Sequence, residues 1–492
     1  MAANIESNSE FSAERWAERQ IVLGSELRDQ GLRTEGAKGA KLLAQAVTTY
    51  LTALEVFTFD KFPERWAETQ FHLGTALREQ GMRADDTNAT KLLAQAVTAF
   101  LSALEVFTRE EIPQAWALTK SNLGVALREQ GVRTIGSGAM ELLAQAVAVC
   151  RSALDVDVRK ELPDQWAIIQ NNLGLAFQEQ ALRSEGADAR ELLVQAENAY
   201  RNALEVFTRE QFPENCGIVE NNLGIVLHEQ ARRTENPTGS KLLAQAVVAY
   251  RNASTVFGRE QRPQQWAMAN QRLGVALEEQ ALRVDNMKGQ ELLAQATVAY
   301  RNALSVYTIE KYPQDWATTQ NRLGNTLLEQ GIRAERANRS NLFGQAVVAY
   351  RNALKIFTLR QQPQDWAVTQ YNLGFALSEQ AATFDRLKGV ALLSQAVTAY
   401  RNALQKKTRE QRPQEWAMIQ KKLGHALRER ATRLEDAKKV EPLRQATLAY
   451  EAALEVYSHE TFPSEYEEVR KSLQIVRTLL SDTYLSGTEA VG

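Results

Sequence analysis

The residues of this chain with the most chemistry to offer are four histidines, His72, His228, His425 and His459, and two cysteines, Cys150 and Cys216. Histidine can carry protons or bind metal and cysteine can attack or bind metal, but each needs partners at short, fixed spacing. The sequence supplies none: it holds no Cys-x-x-Cys, no metal-ligand spacing of histidines and no His-Cys cluster. The recurring glycines, Gly24, Gly74, Gly124 and onward to Gly424, each stand alone, whereas a loop that cradles phosphate concentrates them. No catalytic residue, cofactor or metal is therefore expected, and the chain is read as a non-enzyme. What the spacing does offer is a surface for recognition. Two, five, nine and twelve residues after a recurring tryptophan stand Leu118, Val125, Ile168, Leu175, Ile218, Ile225, Met268 and Val275. Interleaved with them are Asn171, Asn221, Gln271 and Asn321, followed by Tyr371 and Phe375. On a helix these positions share one face, about 120° to 200° from the tryptophan. Such an apolar strip with amides suits the capture of a peptide or helix. The competing reading, that neighbouring helices bury it, is left open by the sequence.

An internal repeat positions these residues. Tryptophan occurs at 16, 66, 116, 166, 266, 316, 366 and 416, and Cys216 and Tyr466 occupy the two remaining steps. Prolines recur from Pro63 to Pro463 and glycines from Gly24 to Gly424, with no insertion or deletion. A fixed period of 50 residues without linkers marks a solenoid, in which each unit buries its apolar face on its neighbours. Length alone would suggest three domains; the repeat predicts one.

Each unit reads as two helices. In the second, Pro63 suits a first helical turn, and a helix is expected through Arg83. Gln70, Leu73 and Leu77 fall within about 40° of Trp66, with Ala67 and Gly74 on one flank, so this stripe reads as a packing face. After the polar stretch ADDTNAT a second helix is expected from near Lys91, with Leu92, Leu93, Ala96, Val97, Phe100, Ala103, Leu104 and Phe107 forming a broad apolar band. The tryptophans read as buried knobs. The glutamines at 20, 70, 170, 320, 370 and 420 read as buried amides bonded to neighbouring helices. Glu79 with Arg83, Glu129 with Arg133, Glu179 with Arg183 and Glu279 with Arg283 form i,i+4 pairs. Arg151, Arg201, Arg251, Arg301, Arg351 and Arg401 form a second basic column, read as a solvated outer face because acids such as Asp155 and Glu205 stand near it. At PENCG, residues 213 to 217, Cys216-Gly217 replaces Trp-Ala and reads as drift.

Leu73-Gly74 with Ala96, Phe100 and Ala103, repeated nine times, resembles the tetratricopeptide repeat family over about residues 13 to 485. The period exceeds the family's usual length of about 34, Leu77 stands where the family has an aromatic, and Gln70 stands where it often has tryptophan. The extra length is expected between the two helices and around the proline turn. NNLG at 171 to 174 and 221 to 224 is similar to kinesin-light-chain-type repeats. The resemblance implies an all-α, right-handed superhelical solenoid of nine helix-turn-helix repeats plus a C-terminal capping helix, with the strip lining its concave groove. It further implies that Asn171, Asn172, Asn221 and Asn222 hold the main chain of a bound peptide. The expected divisions are a tail at 1–11, nine repeats at 12–462, a capping helix at 463–485 and a tail at 486–492.

Composition sets outer bounds on function. A net charge of −2 with 24% charged residues gives no general pull toward nucleic acid or an anionic membrane. The start, MAANIESNSEFSAERW, lacks the basic and apolar segments of a signal peptide, and two cysteines fit a reducing compartment, so a cytoplasmic location is expected. The expected function is a protein-protein interaction scaffold that binds a peptide or helix of a partner. Alternatives are a ligand-responsive sensor or regulatory subunit and a self-assembling structural protein; oligomeric state is undetermined.

Overall fold

The computed structural model describes residues 2–154, 156–284 and 286–489; of residues 2–12, 86, 156, 157, 436, 437 and 484–489 it describes the backbone only. Among the described residues there are twenty helices and no strand. They form two compact units, Met1–Val256 and Phe257–Gly492, where the unbroken period predicts one. In the first unit the hairpins are Ala2–Arg33 with Gly36–Leu54, Pro63–Arg83 with Asp86–Ala103, Pro113–Arg133 with Ser137–Ala153, Pro163–Leu182 with Gly186–Leu204, and Pro213–Arg232 with Thr238–Phe257. A short helix, Val156–Glu161, which the sequence did not suggest, precedes the fourth; Asp155 lies outside the described residues. In the second unit the pairs are Pro263–Ala281 with Asn286–Leu304, Pro313–Arg333 with Arg336–Ala353, Pro363–Ala381 with Arg386–Leu404, and Pro413–Thr432 with Asp436–Leu454, followed by Pro463–Glu489. Within each unit the first helix packs on its second, and the second packs on the first helix of the next hairpin.

Three boundaries differ from expectation. ADDTNAT is not a loop: Asp85 caps the helix Asp86–Ala103 by accepting from the backbone N–H of Asn88 at 3.2 Å, so polar residues that suggest a turn are the helix's own first turn. The length beyond a short repeat is therefore carried by longer helices, of 21 and 18 residues in this hairpin, and not by the inter-helix connection. Residues 2–11 belong to the backbone of Ala2–Arg33, and 486–489 complete Pro463–Glu489, so neither expected tail marks an end of helical structure; 490–492 lie outside the described residues. The helix Pro213–Arg232 runs unbroken through Cys216-Gly217, and both cysteines are buried.

The glycine column has a direct steric cause. A Cβ added at Gly174 would lie 2.6 Å from Cε1 of Tyr200, and the same approach recurs at Gly224 to Tyr250, Gly274 to Tyr300, Gly324 to Tyr350 and Gly424 to Tyr450. Each ring lies against the backbone of the first helix, so the hairpin closes only where Cβ is missing. Tyr200 is fully buried and its hydroxyl donates to Gln178 Oε1 at 3.1 Å. Leu73, Leu77, Ala67 and Ala76 are buried as the wheel requires. Thr69, Thr119, Thr319 and Thr369 are also fully buried. At Thr69, Thr119 and Thr319 the hydroxyl returns a hydrogen bond to the carbonyl four residues earlier, at 2.7, 2.6 and 2.6 Å, which is why a polar residue fits a core position.

The tryptophans are not deep knobs. Trp166 is buried, but Trp16 is 44% exposed and most of the others are half-buried. The reason is position along the helix: apart from Trp16, which lies within Ala2–Arg33, each stands in the first turn, at the rim of the packing. Trp116 packs against Ala67, Ala103 and Phe107 of the preceding hairpin. Trp316 packs both on Ala267, Ala303 and Tyr307 and on Ala317, Ala353 and Phe357, so it joins one repeat to the next. Trp316→Ala is expected to cost about 1–2 kcal/mol in denaturant titration, below the range for a fully buried tryptophan because part of the ring already meets water. An unchanged midpoint would refute the joining role. The glutamine column divides in the same way: Gln170 and Gln370 are buried, while Gln20, Gln70, Gln320 and Gln420 are half-buried.

The second charged column also works between repeats. Arg183 pairs with Glu179 at 2.8 Å and Arg133 pairs with Glu129, as expected, but Glu79 pairs with Arg78 instead of Arg83. Arg83 donates to the carbonyls of Gly31 at 2.6 Å and Leu32 at 3.0 Å, Arg183 to Val132 at 3.1 Å, Arg333 to Ala281 at 3.1 Å and Arg433 to Ala381 at 2.9 Å. Each guanidinium thus satisfies the open carbonyls at the C-terminus of the preceding first helix, where a cation also meets the negative end of the dipole. On the outer face Arg151, Arg301 and Arg401 each donate to the glutamine 44 residues on, at 2.8 Å. All six arginines are exposed, as expected of an outer face; Arg201 pairs with Glu197 of its own helix at 2.9 Å, while Arg151, Arg301 and Arg401 also link second helices.

Candidate functional site

Successive first helices touch one another within each unit, and the strip singled out in the sequence lies on them. In the first unit Leu118 is 37% and Ile218 is 39% exposed. Val125, Ile168, Asn171, Asn172, Leu175, Asn222 and Ile225 are half-buried, and Asn221 is buried. In the second unit Met268, Gln271, Val275, Asn321, Tyr371 and Phe375 are all half-buried. The face is thus neither sealed nor fully open: packing takes one side of each residue and leaves the other.

The amides are partly spent on the protein itself. Asn172 donates to Ser121 Oγ at 3.0 Å and Asn222 to Asn171 Oδ1 at 3.2 Å, tying neighbouring first helices together. In the second unit Gln271 donates to Thr319 Oγ1 at 2.7 Å, Thr369 to Asn321 Oδ1 at 3.1 Å and Asn372 to Asn325 Oδ1 at 3.0 Å. An amide keeps further donor and acceptor capacity after one such bond, so lateral bonding fixes its direction without exhausting it.

Each unit holds a cavity on this side. That of the first unit, about 380 Å³, is lined by Phe71, His72, Phe107, Ile112, Leu118 and Thr119, with Glu64 and Glu68 among its walls. His72 stacks on Tyr50 at 5.7 Å, and burial, aided by Arg28, pushes its imidazole below the usual range. Of these residues the sequence reading foresaw Leu118 alone. Ile112 hides because it precedes a proline and reads as turn, whereas Phe71 stands five residues after Trp66, on the strip itself and in the column of Tyr371. The second unit's cavity, about 270 Å³, is lined by Phe375, Tyr400, Lys422, His425, Arg428, Glu379 and others. Lys422 Nζ lies 4.6 Å from the centre of the Phe375 ring. Elsewhere on the face Glu278 accepts from the Tyr300 hydroxyl at 2.9 Å, and burial raises its carboxyl above the usual range.

Hairpins locked by a small residue under an aromatic ring, with first helices presenting a shared face, are the feature that the resemblance rests on. Solved structures to which the chain is similar include two described as carrying tetratricopeptide repeats. One is a signal-transduction ATPase from Pyrococcus horikoshii with a tetratricopeptide repeat sensor: 12% identity, TM-score 0.40, covering 90% of this chain and 55% of that chain. The chain therefore spans about half the length of that neighbour. A second is a solved tetratricopeptide domain: 15% identity, TM-score 0.22, covering 95% of this chain and 99% of that one. A circular tandem repeat protein with novel repeat topology is also similar, at 16% identity and TM-score 0.29, over 97% of this chain and all of that one. No family model matches the chain, and no curated protein does either. The tetratricopeptide-like build is read from the chain's own packing, since similarity at these values carries no residue role across. Among the described residues no group of three His, Cys, Asp or Glu side chains is placed to hold a metal, and no helix is long and apolar enough to cross a membrane.

Proposed function

We infer that this chain is a non-catalytic scaffold whose first-helix face holds a peptide or helix of a partner protein. The observation that carries this reading is the first unit's cavity of about 380 Å³, where Leu118 stands 37% exposed beside Phe71 and Ile112. A concavity of this size with apolar walls and a few polar groups matches what a bound side chain needs, and exposed apolar groups of this kind commonly mark interaction surfaces. Glu64 and Glu68 favour a ligand with an apolar residue beside a basic one, because the carboxylates would meet the cation at the rim. Ile218, 39% exposed, extends the apolar strip within the same unit. The amides along it suit the carbonyls and N–H groups of an extended main chain.

Peptides selected from a random displayed library against the full chain test this. Binders are expected to carry an apolar anchor, and Leu118→Ser and Ile218→Ser are expected to weaken them at least about tenfold while circular dichroism is unchanged, as for truncation at a central contact. Selected peptides that bind both folded variants as tightly as the native chain would sink the reading.

A further inference from the structure

Four exposed large apolar residues of the second unit, the two most exposed among them, stand at one kind of place. Met287 and Leu387 are each 86% exposed, Leu282 is 59% and Ile332 41% exposed. Leu282 and Ile332 stand at the ends of Pro263–Ala281 and Pro313–Arg333; Met287 and Leu387 stand in the first turns of Asn286–Leu304 and Arg386–Leu404. All four therefore belong to the connections at which a first helix hands over to its second. Neighbouring connections share an edge: Arg333 donates to Ala281 O, Gln290 bonds back to Arg333 O, and Arg386 Nε donates to Arg433 O at 2.7 Å while Arg433 donates to Ala381 O.

The same edge is basic, although the whole chain is not. Segments 282–290, 332–340 and 382–390 carry seven Lys and Arg against three Asp and Glu, in a chain whose net charge is −2. Lys288, Arg336, Arg339, Arg386 and Lys388 fall in the first turns of three second helices, none of which has an acid there. A cation at a helix N-terminus opposes the dipole, so helix stability does not account for these residues. The acids Glu335 and Asp385 stand one position earlier, at the N-caps of Arg336–Ala353 and Arg386–Leu404, so the cations lie just inside them.

We propose that this edge of the second unit docks on an anionic lipid surface. Met287 beside Lys288 and Leu387 beside Lys388 form protruding apolar tips, each flanked by a cation. Side chains that project in this way suit shallow insertion below a headgroup layer while the neighbouring cations meet phosphate and carboxylate. A groove-bound acidic peptide would leave such tips uncovered. The arrangement uses residues separate from the first-helix face, so the two readings stand or fall independently.

The test is co-sedimentation of the full chain with vesicles of phosphatidylcholine alone and of phosphatidylcholine with phosphatidylserine. Binding is expected only with phosphatidylserine and is expected to weaken with salt. Met287→Ser with Leu387→Ser, and separately Lys288→Glu with Lys388→Glu, should each lower partition at least about tenfold with the helical signal intact. No sedimentation with phosphatidylserine vesicles, or sedimentation unaltered by either pair, overturns the proposal. Loss in the charge pair alone, together with binding to soluble polyglutamate, overturns it in favour of an acidic polypeptide partner.

Discussion

Gly174→Ala should destabilise the first unit by about 3 kcal/mol, against the usual gain from alanine in a helix. Alanine in place of mid-helix glycine is worth up to about 1 kcal/mol on propensity alone. Here its Cβ would stand 2.6, 2.8 and 2.9 Å from three atoms of the Tyr200 ring. That ring is fully buried and its hydroxyl is held by Gln178, so it has nowhere to move. Overpacking a closed core site costs about 1–3 kcal/mol and sometimes more, which places this site at the upper end. Gly124→Ala provides the control within the same protein. There Cys150 replaces the ring, and the added Cβ would meet Sγ at 2.7 Å and nothing else nearer than 3.8 Å. A thiol can turn away, so Gly124→Ala should cost distinctly less. Denaturant titration of both variants decides it: equal effects would mean that the ring does not set the glycine column.

Acid should unfold the second unit partly through His425, by about 2 kcal/mol. Burial first, then the positive field of Arg428, depresses this imidazole from 6.5 to about 4. On its own helix Lys421 and Lys422 act in the same sense as Arg428, while Glu468 on Pro463–Glu489 opposes them. Ser472 lies 3.5 Å from Nε2 and the Tyr450 ring lies edge-on at 5.5 Å, and of the charges acting on the ring Glu468 is the one that favours protonation. A depressed pKa means the folded state prefers the neutral form. The stability tied to that preference is complete above about 6.5 and is lost as pH falls toward 4. A shift of this size would carry roughly 3 kcal/mol in full, and residual solvent around the ring reduces it to about 2. His425→Gln keeps a polar side chain that does not titrate. Its denaturation midpoint should fall less than the native protein's between pH 7 and 4.5, and matching pH profiles would rule out His425 as the group responsible.

The hairpins were legible in the sequence because their causes are local and repeated. Pro63 at a helix start, the 3.6-residue stripe of Leu73 and Leu77, and Gly74 ahead of Phe100 each report a rule that every repeat obeys, so nine copies reinforce one reading. Local rules also misled where one residue type serves two roles. Asp85 and its polar neighbours read as a loop because residues that favour turns also favour the first turn of a helix. Buried threonines were passed over because only the structure shows their hydroxyls returning to their own backbone.

Of the candidate site, the sequence named Leu118 and Ile218 on a shared face but not the cavity beside Leu118, whose walls come from two successive hairpins. The sequence by itself determined that this protein is a tandem array of helical hairpins, which residues turn inward, and that its variable letters lie on one helix face. Tertiary structure decided that tryptophan rides at the rim between repeats, that arginine of one hairpin closes the helix of the one before, and that the shared first-helix face is half open. The physical reason is distance along the chain. Arg83 meets the carbonyls of Gly31 and Leu32 across about fifty residues, and no periodicity within a helix records which backbone groups a neighbouring repeat has left unsatisfied.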